Sequence, residues 1–158
     1  MPNICEFEMF VNSDTQEELK KFIEVVLAKY DYNSPEICNA DYHLSRVWVG
    51  ESSISIKGNT AIIVGDCAWS VFSCMFEGTW AYYNDIVKSY AVNKVTSIPR
   101  ISKLLNLRIE IISIESGLLF IEHYVVDKGD VLLDDSENYY GAYEDAYKRL
   151  RNTLWFEE

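Results

Sequence analysis

Proline and glycine are scarce in this chain, with 3 Pro and 7 Gly among 158 residues. Chains built as flexible linkers or low-complexity tracts are rich in those residues, so that class is excluded. Histidine occurs only twice, and the four cysteines, Cys5, Cys38, Cys67 and Cys74, form no CxxC pair. Zinc modules need thiolate and imidazole ligands at short fixed spacings, so no metal is expected, and the thiols read as small buried apolar groups. Apolar runs such as 61–64 and 118–121 fall far short of the ~20 residues that span a bilayer. The opening Met1-Pro2-Asn3-Ile4-Cys5-Glu6 lacks the basic and apolar regions of a secretory signal, so a cytoplasmic location is expected. Basic charge is the last shortage: 14 Lys and Arg stand against 25 Asp and Glu, a formal net charge of -11. Such a field repels phosphate backbones and anionic lipid. Direct nucleic-acid binding and membrane association are therefore disfavoured, and a charge-steered partner is a protein with a basic surface.

Apolar and aromatic side chains are plentiful, at 49% and 14%. That is enough to offset chain entropy, and the length suits one domain, taken as 1–158.

The periodicity alternates between strand and helix. Cys5, Phe7, Met9 and Val11 alternate with Glu6, Glu8 and Phe10 as in a strand with one buried face. Ser13 or Asp14 can cap a following helix that buries Leu19, Phe22, Ile23, Val26, Leu27 and Tyr30 and ends at Asn33-Ser34-Pro35. Residues 36–50 read as loop with a short strand at 46–49, and 52–57 with 60–64 form a hairpin about Gly58-Asn59. Helices are predicted over 78–92 and over 97–106, the second with Pro99 in its first turn. Residues 107–114 and 118–125 make a second hairpin about Glu115-Ser116-Gly117. Asp134, Asp135 or Ser136 can cap a last helix carrying Tyr140, Tyr143, Tyr147, Leu150 and Leu154. The fold class is α+β. Its first six elements fit a ferredoxin-like antiparallel sheet with helices mainly on one face, extended by a C-terminal hairpin and helix.

No reaction signature is present: there is no glycine-rich phosphate loop, no HExxH and no serine elbow. Glu122 and His123 are neighbours in a strand, so they face opposite ways, and His123 is expected to meet Glu110 or Glu115 across the hairpin as a cross-strand contact. The chain is read as non-enzymatic, with no catalytic residue and no cofactor, and a hydrolase using His123 ranks last. Asp127, Asp130, Asp134, Asp135 and Glu137, with Tyr139 and Tyr140, form an acidic and aromatic segment. The segment lacks the residue order of a calcium loop and is expected to be exposed, either as a solvated loop leading into the capped helix or as a surface that meets a basic partner, since tyrosine suits interfaces. Trp69 with Asp66 and Ser70 could line a small-ligand pocket. A Trp69 buried in the sheet core accounts for the same residues better.

Two segments carry a resemblance: Gly65-Asp66-Cys67-Ala68-Trp69-Ser70, and the strand from 109 to 117 followed by Glu122-His123-Tyr124. Together with the Met1-Pro2-Asn3 opening they resemble the Api92-like family, also called the YubB or DUF1281 group, over most of the chain. Ile4 stands where that family has Trp, and Val71-Phe72-Ser73-Cys74 replaces its proline-containing turn. The resemblance implies a ferredoxin-like domain from phages, plasmids or other mobile elements. The expected function is an interaction protein inhibiting a host defence factor through its acidic surface. The alternative is a binder that sequesters a signalling nucleotide near Trp69.

Overall fold

The computed structural model describes residues 3–27, 42–44, 46–76 and 96–156. They build one seven-stranded antiparallel sheet. Strand β1 (Ile4–Ser13) lies between β4 (Thr60–Ala68) and β5 (Leu107–Glu115). Beyond β5 come β6 (Phe120–Asp127) and then β7 (Asp130–Asn138) at the edge. The far side of β4 is shared by two short strands, β2 (Val47–Trp48) and β3 (Ile54–Lys57), with a 3-10 turn (Glu51–Ser53) between them. Gly65 permits that crowding, because a Cβ there would lie 2.8 Å from Phe7, from the Trp48 carbonyl and from Val49.

Side-chain alternation sends Cys5, Phe7, Met9 and Val11 of β1 to one face, where Ile63, Cys67, Ile109, Ile111, Tyr124 and Val126 join them in the larger core. Helices α1 (Gln16–Leu27), α2 (Val71–Met75) and α3 (Ile98–Leu105) cover this face through Leu19, Phe22, Val71, Ile98 and Ile101. Thr15 caps α1, its hydroxyl accepting from Glu18 N at 3.2 Å, in place of the expected Ser13 or Asp14. Ser13 instead braces the turn by accepting from Thr15 N. Ser97 caps α3, and Asn106 closes it in the left-handed conformation, φ 53°. The opposite face carries a smaller core of Phe10, Ile112, Ile114, Ile121 and Tyr139, covered by Ala146 and Leu150 of α4 (Tyr143–Arg151). With both faces covered, β5 is buried at eight of its nine positions.

Several expectations change. The segment 130–138 is strand β7 rather than a loop, because Lys128 and Gly129, both at positive φ, turn the chain back so that Asp130 pairs with Asp127. Asp134, Asp135 and Ser136 lie in that strand and cap nothing; α4 begins after Ala142 without a side-chain cap. Tyr140 precedes the helix and is 88% exposed. The helix expected over 78–92, the helix end at Asn33-Ser34-Pro35, Tyr30 and Cys38 lie outside the described residues. No helix among the described residues is long and apolar enough to cross a membrane.

Gly65→Ala is expected to cost about 1–3 kcal/mol through overpacking between β2 and β4. Gly50→Ala, whose added Cβ would meet only Ser52 Oγ at 3.9 Å, is expected to be near neutral. Urea denaturation of both variants checks this.

Candidate functional site

The two segments singled out in the sequence meet at the Glu122 carboxylate. As β4 ends, Trp69 takes a left-handed conformation, φ 63°, and its N–H donates to the Asn3 carbonyl at 2.7 Å. Ser70 then caps α2, accepting from Ser73 N at 3.0 Å. The turn aims the first two N–H groups of α2 at β6, where Val71 N donates to Glu122 Oε1 at 2.8 Å and Phe72 N to Oε2 at 3.0 Å. Ser113 Oγ donates to Oε1 at 2.8 Å and the Tyr124 hydroxyl to Oε2 at 2.6 Å. The Cys5 thiol points at Oε1 from 3.8 Å. Glu122 is 2% exposed, and a carboxylate so buried is tolerated only with its lone pairs filled this way. Burial, reinforced by the adjacent Glu122 charge, pushes the Tyr124 phenol well above its ordinary range.

A second carboxylate does similar work on the other face. Glu110, fully buried, accepts from Trp155 N and Phe156 N, each at 2.8 Å, and lies 2.6 Å from His123 Nε2. His123 Nδ1 in turn sits 3.2 Å from Thr153 Oγ1. Burial alone would raise the Glu110 pKa, but the hydrogen bonds from His123, Trp155 and Phe156 outweigh it and hold the carboxyl below its usual value. His123 thus makes the expected cross-strand contact with Glu110. Glu115 instead binds its own turn, accepting from Gly117 N at 2.7 Å and Leu118 N at 2.5 Å.

Of the acidic segment, Asp130, Asp134, Asp135 and Glu137 are exposed along β7 and Asp127 is half-buried. Tyr139 does not belong to that surface: it is 2% exposed, its ring fills the smaller core and its N–H donates to the Leu119 carbonyl. Asp135 and Glu137 face α4 across a cavity of about 400 Å³ that His123, Arg149, Thr153 and Trp155 also line. Arg149 reaches Glu137 at 3.6 Å across its mouth. A second cavity of about 840 Å³ lies along β1, β3 and β4, bounded by Lys57, Ile62, Arg108 and Phe156.

Asp66, Trp69 and Ser70 line neither cavity. Trp69 is 42% exposed, not a core residue, because its left-handed backbone swings the indole outward beneath the Arg46 guanidinium, 4.7 Å from the ring centroid. Asp66 is exposed opposite Glu6, and partial desolvation by its neighbours together with that like charge raises its pKa. Among the described residues, no group of three or more His, Cys, Asp or Glu is arranged to hold a metal ion. Comparisons with family models, with curated proteins and with solved structures each found no match.

Glu110, Ser113, Glu122 and Thr153 did not emerge as site residues from the sequence. The available signal was a glutamate at an interior position of each of two strands, Leu107–Glu115 and Phe120–Asp127, whose other interior residues are mostly apolar. Such a residue must find internal partners.

Replacing Glu122 by Gln leaves buried donors facing an amide NH₂ and is expected to cost roughly 3–5 kcal/mol. Ser113→Ala, which removes one neutral donor, is expected to cost about 1 kcal/mol. Chemical denaturation reads both. For Glu110 the folded pKa is depressed, so its stabilisation is present above the unfolded value of about 4.3 and is lost as pH falls through the folded pKa. Wild type should therefore exceed Glu110→Gln in stability at neutral pH, with the gap closing in acid.

Proposed function

We propose that this chain is a non-enzymatic interaction protein that takes up a basic, extended segment of a partner protein along strand β7. The observation that carries this reading is that, among the described residues, β7 pairs only with β6 while presenting Asp130, Asp134, Asp135 and Glu137 to solvent. A nine-residue edge strand offers main-chain donors and acceptors to an added strand, and its carboxylates select lysine and arginine in that strand. Glu137 already pairs with Arg149, so the edge accommodates a guanidinium. Exposed Val131, Leu132 and Tyr140 add apolar contact at either end.

The order β3–β4–β1–β5 supports the ferredoxin-like part of the expectation, with β6, β7 and α4 as its extension. On the Api92-like resemblance, the partner is a host defence factor whose basic surface is meant for nucleic acid, met in the cytoplasm. The free thiols of Cys5, Cys67 and Cys74 suit that reducing compartment. The nucleotide-binder alternative draws no support from the two cavities described, since Asp66, Trp69 and Ser70 line neither.

Titration with a peptide of alternating arginine and valine, followed by backbone amide shifts, tests the reading. The expected result is a set of shifts centred on 130–138 that weakens with salt and vanishes when Asp130, Asp134, Asp135 and Glu137 become Asn and Gln. Binding elsewhere, or binding indifferent to salt and to those substitutions, would contradict it.

A further inference from the structure

Three of the four thiols come together where β1, β4 and α2 meet. The register of β1 against β4 sets Cys5 directly opposite Cys67. Opposed residues of an antiparallel pair have Cα atoms about 4.5–5.5 Å apart, within the span a disulfide bridges. From the other side, α2 carries the Cys74 thiol to 3.0 Å from the carbonyl of Ala68, the residue that follows Cys67, and all three cysteines lie in the larger core. All three thiols are free; Cys5 and Cys67 are fully buried and Cys74 is 6% exposed.

A solitary buried cysteine is inert filler. Cys67 differs in having a possible disulfide partner on each side. We infer that Cys5, Cys67 and Cys74 form an oxidation site for hydroperoxides, entered at Cys74 and resolved by Cys67. The Cys74 thiolate attacks one peroxide oxygen, the O–O bond breaks, and the other oxygen leaves as alcohol or water after taking a proton. Cys67 then attacks the Cys74 sulfenic sulfur, forming the S–S bond and expelling the hydroxyl, which leaves as water with the Cys67 proton. Two electrons and two thiol protons pass to the peroxide. Exchange with Cys5 moves the bond to the Cys5–Cys67 pair and frees Cys74 without further oxidation.

Two features suit Cys74 to the first step. It has the only thiol of the three with solvent exposure. The Cys67 hydrogen bond, against the opposition of burial and with help from the Arg46 charge, holds the Cys74 thiol below its ordinary pKa. Oxidation also reaches the Glu122 junction, because Cys5 gives up the S–H that faces Glu122 once it joins the disulfide.

The test treats the full chain, with Cys38→Ser to confine the chemistry, with hydrogen peroxide under native conditions, then unfolds it in an alkylating reagent for mass spectrometry. The expected product is a monomer about 2 Da lighter than the reduced chain, restored by reductant, in which one thiol of three alkylates and the linkage maps to Cys67 with Cys74 or Cys5. Cys67→Ala should abolish the linkage and accumulate sulfenic or sulfinic acid at Cys74, while Cys74→Ser should slow oxidation at least tenfold. Should Cys67→Ala not fold, Cys5→Ala serves instead and must still give Cys67–Cys74. Three alkylatable thiols after peroxide treatment, or linkages only between chains, would overturn the inference.

Discussion

Buried carboxylates that must be filled by main-chain donors organise this molecule. Glu122, Glu110 and Glu115 sit in or at the end of two adjacent strands, and each binds two consecutive backbone N–H groups: Val71 with Phe72, Trp155 with Phe156, and Gly117 with Leu118. Charge-assisted hydrogen bonds of this kind are the strong ones, and leaving such a carboxylate unpaired would cost more than most local packing could recover. Each clasp therefore fixes a segment that has little regular structure of its own. One holds the short helix α2, one the residues after α4, and one the β5–β6 turn.

The acidic residues of the last three strands divide into two populations. The glutamates of β5 and β6 are turned inward and hold the fold, while those of β7 face water at an edge. The inward glutamates are compensated by hydrogen bonds in the interior, whereas the β7 carboxylates sit where a partner can approach. The same separation places the thiol cluster beside the Glu122 clasp and away from β7.

Much of the fold was legible because burial imposes period. Strand β1, helices α1 and α3, and the hairpins β3–β4 and β5–β6 all carry apolar residues at the spacing their core faces demand. Strand β7 was illegible for the opposite reason. Only Leu133 of its nine residues is even half-buried, so pairing with β6 through the Lys128-Gly129 turn, not burial, makes it a strand. Trp69 misled because an aromatic residue after a strand reads as core, and nothing in its identity marks a left-handed backbone. Tyr139 and Tyr140 are neighbours of one type with opposite fates, decided by whether the last residue bonded to Leu119 turns its ring inward. Of the proposed interaction surface, the acidic residues were visible and the edge that displays them was not. The carboxylate clasps join residues as far apart in sequence as Val71 and Glu122, beyond the reach of local pattern.

The central claim is that these carboxylates pin otherwise weakly held backbone. Amide hydrogen exchange at Val71, Phe72, Gly117, Leu118, Trp155 and Phe156 tests it most directly, because an N–H bound to a buried carboxylate exchanges only when the clasp opens. Protection at all six amides well above that of the neighbouring exposed turns is the result the account predicts. Exchange at the rate of unstructured chain, in a protein whose β1 and β5 amides remain protected, would contradict it.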